Sequence, residues 1–499
     1  MRQRRLGVCT VAFAGAALCG ALAVAAGVVE QEESAAQTFV GLTLRLGAMM
    51  GHEEEVDSYF GPEALSAATA RSDPGTLAQL RADAAALLSK VTLEEAAHPT
   101  PRGVRLLAQV RSFDSLLRGI GLDASAESFE DEARHLYAQS VRRLGAAAAA
   151  GATGPATGGA GAATAATAGG AIPALATAAA SPAAATAVTG AATPAAATAV
   201  AGAATPAAAH KALSALEAAL PGSGPLSQRL ADFYRDFVVP ADRRRVVFQR
   251  ALQECRRRTL THWQLPRSEK LDVEWTDSVP AAWHRYRGGW HSTLQINSDA
   301  VALPGSAIDV ACHEAYPGHH AQFLLQEQSA QPAGLPVEDR VVLLRSPASV
   351  LREGAANFGV ELAFPFEERV AFEERVLFPL ARLDPRQARP YETVHRLVDQ
   401  LSATAAPIIA AYRDHHLSRD DAEQQLANEA LVTSPGALLE FANHYGAYVL
   451  GYTAVRDSVR DYVTAQSHIT AKDEWAVLRE LVADPYGTVS SGGFQERLP

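Results

Sequence analysis

Along most of this chain the apolar residues recur three and four positions apart, the spacing that places them on one face of a helix. The segment Leu77-Ala-Gln-Leu-Arg-Ala-Asp-Ala-Ala-Ala-Leu-Leu88 shows it, within a helix-like region from Gln37 to Leu144. The same pattern returns beyond Lys211, through Leu213 to Leu220, Leu226 to Phe237 and Arg243 to Thr261. Ser346-Pro347 reads as a cap and first-turn proline for another helix, which Pro365 stops. Strand signals are few. The clearest is Ser292-Thr-Leu-Gln-Ile-Asn297, where polar and apolar residues alternate as in a half-buried strand. The fold class expected is mainly α, with a small β element.

Two stretches depart from this pattern. From Gly145 to Ala209 the chain is almost only Ala, Gly, Thr and Pro, with a near-repeat at Ser181-Pro182, Thr193-Pro194 and Thr205-Pro206. It has no large side chains to bury and reads as a low-complexity linker. At the start, Met1-Arg-Gln-Arg-Arg5 precedes an apolar run from Leu6 to Val29. That is the pattern of an export signal, and it is long enough to serve as an uncleaved membrane anchor. The expected organisation is therefore residues 1–33 as signal or anchor, 34–144 as a helical N-terminal region, 145–209 as linker and 210–499 as a helical catalytic domain. The protein is expected to be exported, periplasmic or extracellular. The N-terminal helices either pack on the later region, with the linker looping out, or form a separate lobe.

The formal net charge of −11 argues against a nucleic-acid partner. Arginines 243–245, 250 and 256–258 form a basic helical stretch that reads first as a solvated face. Of four cysteines, Cys9 and Cys19 fall in the targeting segment. Cys255 and Cys312 allow one disulfide, although Cys312 reads more simply as a small buried residue.

The chemistry is concentrated in His313-Glu-Ala-Tyr-Pro-Gly-His-His320. Neutral imidazoles hold a zinc ion, and a carboxylate beside the first of them can take a proton from water activated there. The familiar zinc-peptidase spacing places its histidines four apart, but position 317 is proline. On an unbroken helix His319 would point roughly 120° away from His313, and His320 would share its face about 10 Å farther along. Pro317 and Gly318 predict a bulge that returns His319 to the place of the missing i+4 ligand, with His320 in reserve. Ser306 and Asp309 make a capping-box-like helix start before the motif.

A catalytic zinc needs a third protein ligand. Glu353 and Asn357 share one helical face in Arg352-Glu-Gly-Ala-Ala-Asn357, so the glutamate can bind metal while the amide orients a histidine; Glu361 continues the stripe. A donor for a developing oxyanion is sought in Phe441-Ala-Asn-His-Tyr-Gly-Ala-Tyr-Val-Leu-Gly451, which reads as a late helix carrying Tyr448, with His444 and Tyr445 beside it. Arg456 is a weaker candidate to anchor a substrate carboxylate.

These residues together resemble the bacterial His-Glu-x-x-Pro-Gly-His-His family of unknown function, grouped with the glutamate-zincin metallopeptidases. The similarity rests on Cys312-His-Glu-Ala-Tyr-Pro-Gly-His-His320, the Glu353-Gly-x-Ala-Asn357 helix and the Leu294-Gln-Ile-Asn297 strand. It extends over about residues 211 to 490, and more loosely over 35 to 145. The resemblance implies zinc, a mostly helical zincin-like fold and hydrolysis of peptide or amide bonds, and it supports His319 over His320 as ligand. Many relatives carry tryptophan where this chain has Ala355, which leaves the pocket shape and substrate preference open. The alternatives are a zinc amidohydrolase for a non-peptide amide and an exported binding protein with an inactive site.

Overall fold

The computed structural model describes residues 30–50, 55–120, 128–134, 206–279, 281–452 and 454–486. Residues 1–29 of the expected signal or anchor (1–33) and residues 145–205 of the expected linker (145–209) lie outside the described residues. Among the described residues, no helix is long and apolar enough to cross a membrane.

The chain is mainly helical. Helix Leu77–Ala97 starts at Thr76, whose hydroxyl accepts from the Gln79 amide in a reciprocal capping box, and it buries Leu80, Ala84, Leu87 and Val91. Each large member of that stripe contributes about 1.5–3 kcal/mol by leaving water. Helix Pro101–Gly119 packs against it through Leu106, Val110, Phe113 and Leu117. These side chains belong to the same core cluster as Ile308, Val310 and Leu351. Of the two arrangements expected for the N-terminal region, the chain therefore adopts the packed one.

Polar contacts reinforce the joint. Arg102 Nε lies 2.7 Å from Glu338, and Gln109 donates to Asp339 at 2.9 Å. Strand β1 (Val56–Tyr59) pairs antiparallel with β5 (Val341–Leu343). A second sheet has β4 (His291–Ile296) in its centre, parallel to β2 (Lys270–Trp275) and antiparallel to β3 (Ala282–Gly288). The strand expected beside the motif is thus β4, but both its edges are already paired. The sheet edge that packs on the motif helices is β3.

The linker's expected last residues are instead helical, because helix Pro206–Ala219 begins before residue 210. The basic stretch lies on helix Ala241–His262, where Arg244 pairs with Asp299, Arg256 with Glu269 and Arg258 with Glu254. With Arg257 also on Glu254, four of the seven arginines are paired with acids within the molecule.

Cys312 is not a free buried thiol. It is bonded to Cys255, tying the motif helix to helix Ala241–His262 across a sequence separation of 57. Closing a loop of this length restricts the unfolded chain and contributes about 2–4 kcal/mol. Replacing both cysteines by alanine is expected to lower the unfolding free energy by that amount, read from denaturant midpoints. An unchanged midpoint would show that the bond contributes nothing.

Candidate metal centre

The motif helix runs Pro304–Glu314 and begins three residues earlier than expected: Leu303, not Ser306, is the N-cap and Pro304 the first residue. Asp309 serves another purpose there, pairing with the buried Arg369 at 2.7 Å. The helix then ends at Glu314, and a second helix, His319–Ser329, begins after Gly318. The expected bulge is therefore a full break between two helices. Pro317 supplies the reason, since it has no N–H to continue the ladder. Gly318 is required by close approach, because a Cβ there would lie 1.6 Å from the His313 carbonyl oxygen.

The break brings His313 and His319 face to edge, their rings 4.7 Å apart. His313, Glu314 and His319 present nitrogen and oxygen atoms all within 4.8 Å of one another. Glu353, on the buried helix Pro347–Ala363 that Ser346 caps, meets both imidazoles: its Oε2 is 3.2 Å from His313 Nε2 and its Oε1 3.2 Å from His319 Nε2. Burial alone would raise this carboxyl, but His319 and His313 hold it well below the usual carboxylate range. Glu353 Oε2 and His313 Nδ1 are both buried without a hydrogen-bond partner. An ionised, buried carboxylate with one oxygen facing each of two imidazole nitrogens is an environment that a divalent cation fits.

Glu314 has the opposite electrostatics. Burial, reinforced by Glu353 and Asp57 against the opposing effect of His313, pushes its carboxyl up to about 7. Tyr448 donates its hydroxyl to Glu353 Oε1 at 2.6 Å. Burial and the Glu353 charge raise the Tyr448 phenol well above its ordinary value, so it stays a donor. The late helix expected over 441–451 ends at Tyr445, and Gly446–Tyr452 continues as a tighter helical segment. Gly451 allows that segment to press on the glutamate, since a Cβ there would lie 2.7 Å from Glu353 Cβ.

Other expected residues go elsewhere. His320 points away from the centre: its Nδ1 is 2.7 Å from Ser292 Oγ and its Nε2 3.0 Å from Glu269. Asn357 donates to the backbone carbonyl of Glu353 at 2.9 Å rather than to a histidine, so it holds the helix turn beneath the glutamate. His444 is exposed, and Tyr445 packs on Phe441 with ring centroids 4.7 Å apart. Glu361 and Arg456 lie in a separate buried ionic cluster. Arg456 is engaged by Asp399 at 2.6 Å and by Ser402 at 3.1 Å, so it is committed inside the fold.

Three residues at the centre escaped the sequence reading. Tyr452 stacks on His313 at 6.2 Å, and burial with Glu353 and Glu314 raises its phenol well above the usual value. Its signal was the spacing Tyr448-x-x-x-Tyr452, which would place both rings on one side of an α-helix. His284 of β3 lies 5.9 Å from His319, ring to ring. Asp57 of β1 accepts from Trp283 Nε1 at 2.6 Å and is close enough to help raise Glu314, while burial and the Glu353 charge raise Asp57 itself.

No family model matches the chain, and no curated protein does. Among solved structures the chain is similar to the putative lipoprotein from Colwellia psychrerythraea, at 15% identity and a TM-score of 0.44; the match covers 84% of this chain, which spans 65% of the length of that protein.

Proposed function

We propose that the protein is an exported zinc-dependent hydrolase of peptide or amide bonds, as its resemblance to the glutamate-zincin metallopeptidases implies. The observation that carries this reading is the meeting of His313 and His319 on the two oxygens of Glu353, with Glu314 alongside. His313, His319 and Glu353 are the ligand set. Glu353 takes that role over Glu314 because it is held ionised and touches both imidazoles, whereas Glu314 retains affinity for a proton near neutral pH. When bound, zinc polarises a carbonyl and makes water a nucleophile at neutral pH.

The remaining work belongs to side chains. Glu314 accepts the proton of the attacking water and returns it to the leaving nitrogen. Tyr448, a neutral donor in a water-poor site, supplies a hydrogen bond where negative charge develops on the former carbonyl oxygen. Its present acceptor is Glu353 Oε1, so its hydroxyl already points into the centre.

The test is elemental analysis of the purified protein with mass-spectrometric detection of cleavage in a mixed peptide pool. Stoichiometric zinc, with cleavage abolished by a chelator and restored by zinc, is the expected result. Tight zinc binding with every peptide left intact would overturn peptide hydrolysis, and absence of any bound metal would overturn the ligand set.

A further inference from the structure

Three arginines are buried among the described residues, and two of them are neutralised. Arg369 meets Asp309 at 2.7 Å and Glu392 at 3.0 Å, and Arg456 meets Asp399 at 2.6 Å. The third, Arg352, immediately precedes Glu353 on helix Pro347–Ala363 and is 5% exposed. It makes no ion pair with any described residue. Its side chain has one hydrogen bond, from Nη2 to Oε1 of the neutral Gln326 at 2.8 Å, and its Cζ lies over the Phe323 ring, 4.5 Å from the centroid.

A guanidinium stays charged in proteins and offers five N–H donors in a planar fork that matches a carboxylate. Gln326 takes one. Nε and Nη1 have no acceptor among the described residues, and neither is sealed from solvent. Burial opposes the charge, and although Asp339 and Asp57 are near enough to favour it, neither touches it. A buried cation left so is costly unless an anion joins it.

The guanidinium stands beside the candidate centre. Phe323, on which it rests, follows His319 by four residues on helix His319–Ser329, so the two side chains are one turn apart, about 6 Å along the axis. The same ring stacks on His284, whose own ring is 5.9 Å from that of His319. Asp57 and Tyr448, both neighbours of the centre, act on Arg352 as well.

We propose that Arg352 binds a carboxylate of the substrate, a role that rests on the hydrolytic reading above and narrows its substrate class. Two extended residues span about 7 Å, so the carboxylate lies within about two residues of the scissile amide. It is either the free C-terminus of a peptide or an acidic side chain close to the cleaved bond. Phe323 and Gln326 are positioning residues, the one supporting the guanidinium plane and the other fixing one of its edges.

Two measurements on the full chain test this. The first uses ¹⁵N-arginine-labelled protein, following the Arg352 Nε–H resonance, which is assigned by its loss in Arg352→Lys. The probes are N-acetyl-dialanine, its C-terminal amide, and N-acetyl-aspartyl-alanine amide. The resonance is expected to move with a carboxylate probe and to stay still with the neutral amide. Whether the first or the third probe moves it names the C-terminal or the side-chain source. No movement with either acid, or equal movement with the neutral amide, would overturn the proposal. The second measurement takes a cleaved peptide and replaces the carboxylate so identified by a carboxamide. The parent is expected to favour the acid on the order of 10–100-fold in kcat/KM, mostly through KM. Arg352→Met, whose straight chain still covers Phe323, should cleave both forms alike, at the parent's rate on the amide and with zinc content unchanged. Arg352→Lys, which keeps the charge without the fork, should retain a smaller preference, and it serves alone if the methionine variant does not fold. A preference that survives both substitutions, or an equal loss on acid and amide, would sink the assignment. If the parent cleaves no peptide, the hydrolytic reading fails by itself, while the labelled spectrum still decides whether Arg352 holds a carboxylate.

Discussion

Glu314→Gln is expected to lower amide hydrolysis by about 10²–10⁴-fold, mostly in kcat, while stoichiometric zinc binding is kept. Glutamine matches the shape of glutamate but cannot take up a proton, so the substitution separates proton transfer from packing. The site supports that separation. Glu314 closes the motif helix, is buried, and has no hydrogen-bond donor on it among the described residues. Its carboxylate is therefore free to meet a water molecule. The metal set should survive, because Glu353 rather than Glu314 lies between the two imidazoles. Steady-state kinetics with elemental analysis decides the matter: retained hydrolysis would remove Glu314 as the base, and loss of zinc would make it a ligand instead.

What could be read from the sequence follows from where each kind of information resides. That His313, His319 and Glu353 come together was legible because they sit in two short segments whose helical phase, cap and proline stop are local features, and Ser346-Pro347 starts its helix where expected. The form of the break was not. Whether Pro317 and Gly318 bend one helix or separate two depends on what packs on them, including Gly359, which lies against Pro317 and is distant in sequence. The disulfide was an open alternative that the sequence could not decide, because two cysteines do not declare their separation in space. His284 and Asp57 were missed for a related reason: each is a single polar residue in a short strand, and only pairing of that strand brings it to the centre. Asn357 and Arg456 were misread because helical phase says which way a side chain leaves its own helix, not which partner it finds.

A second buried polar assembly shares the motif helix with the metal centre, and it explains how that helix is held. Arg369, 2% exposed, donates to Asp309 at 2.7 Å, to Glu392 at 3.0 Å and to the Gly305 carbonyl at 3.2 Å, with Glu373 at 3.7 Å. Asp309 and Gly305 both belong to the motif helix, so one guanidinium fixes its first turns while the Cys255–Cys312 bond fixes its end. The closeness is enforced by size, since a Cβ on Gly305 would meet the Tyr391 hydroxyl at 2.7 Å and Arg369 Nη2 at 2.9 Å. The placement of the motif helix thus rests in part on an ionic cluster remote from the candidate centre.

Arg369→Met is expected to destabilise the fold by about 3–5 kcal/mol, because it leaves Asp309 and Glu392 buried without their cation. Glu373 should respond in the opposite direction. Its carboxyl is fully buried with both oxygens unpartnered, and burial, with Glu392 and Asp309 overcoming the opposing Arg369, raises it well above the ordinary value. A carboxyl raised in the folded state contributes its full stability below the unfolded value near pH 4.3 and loses it as pH rises towards the folded value. That loss is at most about 1.4 kcal/mol per pH unit. Glu373→Gln, which needs no proton, should therefore be more stable than the parent, by a margin that widens as pH rises from 5 to 8. Denaturant unfolding of parent, Arg369→Met and Glu373→Gln across that range measures both effects. If Arg369→Met falls within 1 kcal/mol of the parent, roughly the worth of an exposed pair, the guanidinium is not what anchors the motif helix. If the Glu373→Gln margin stays constant with pH, the carboxyl is ionised in the fold and Arg369 neutralises three acids rather than two.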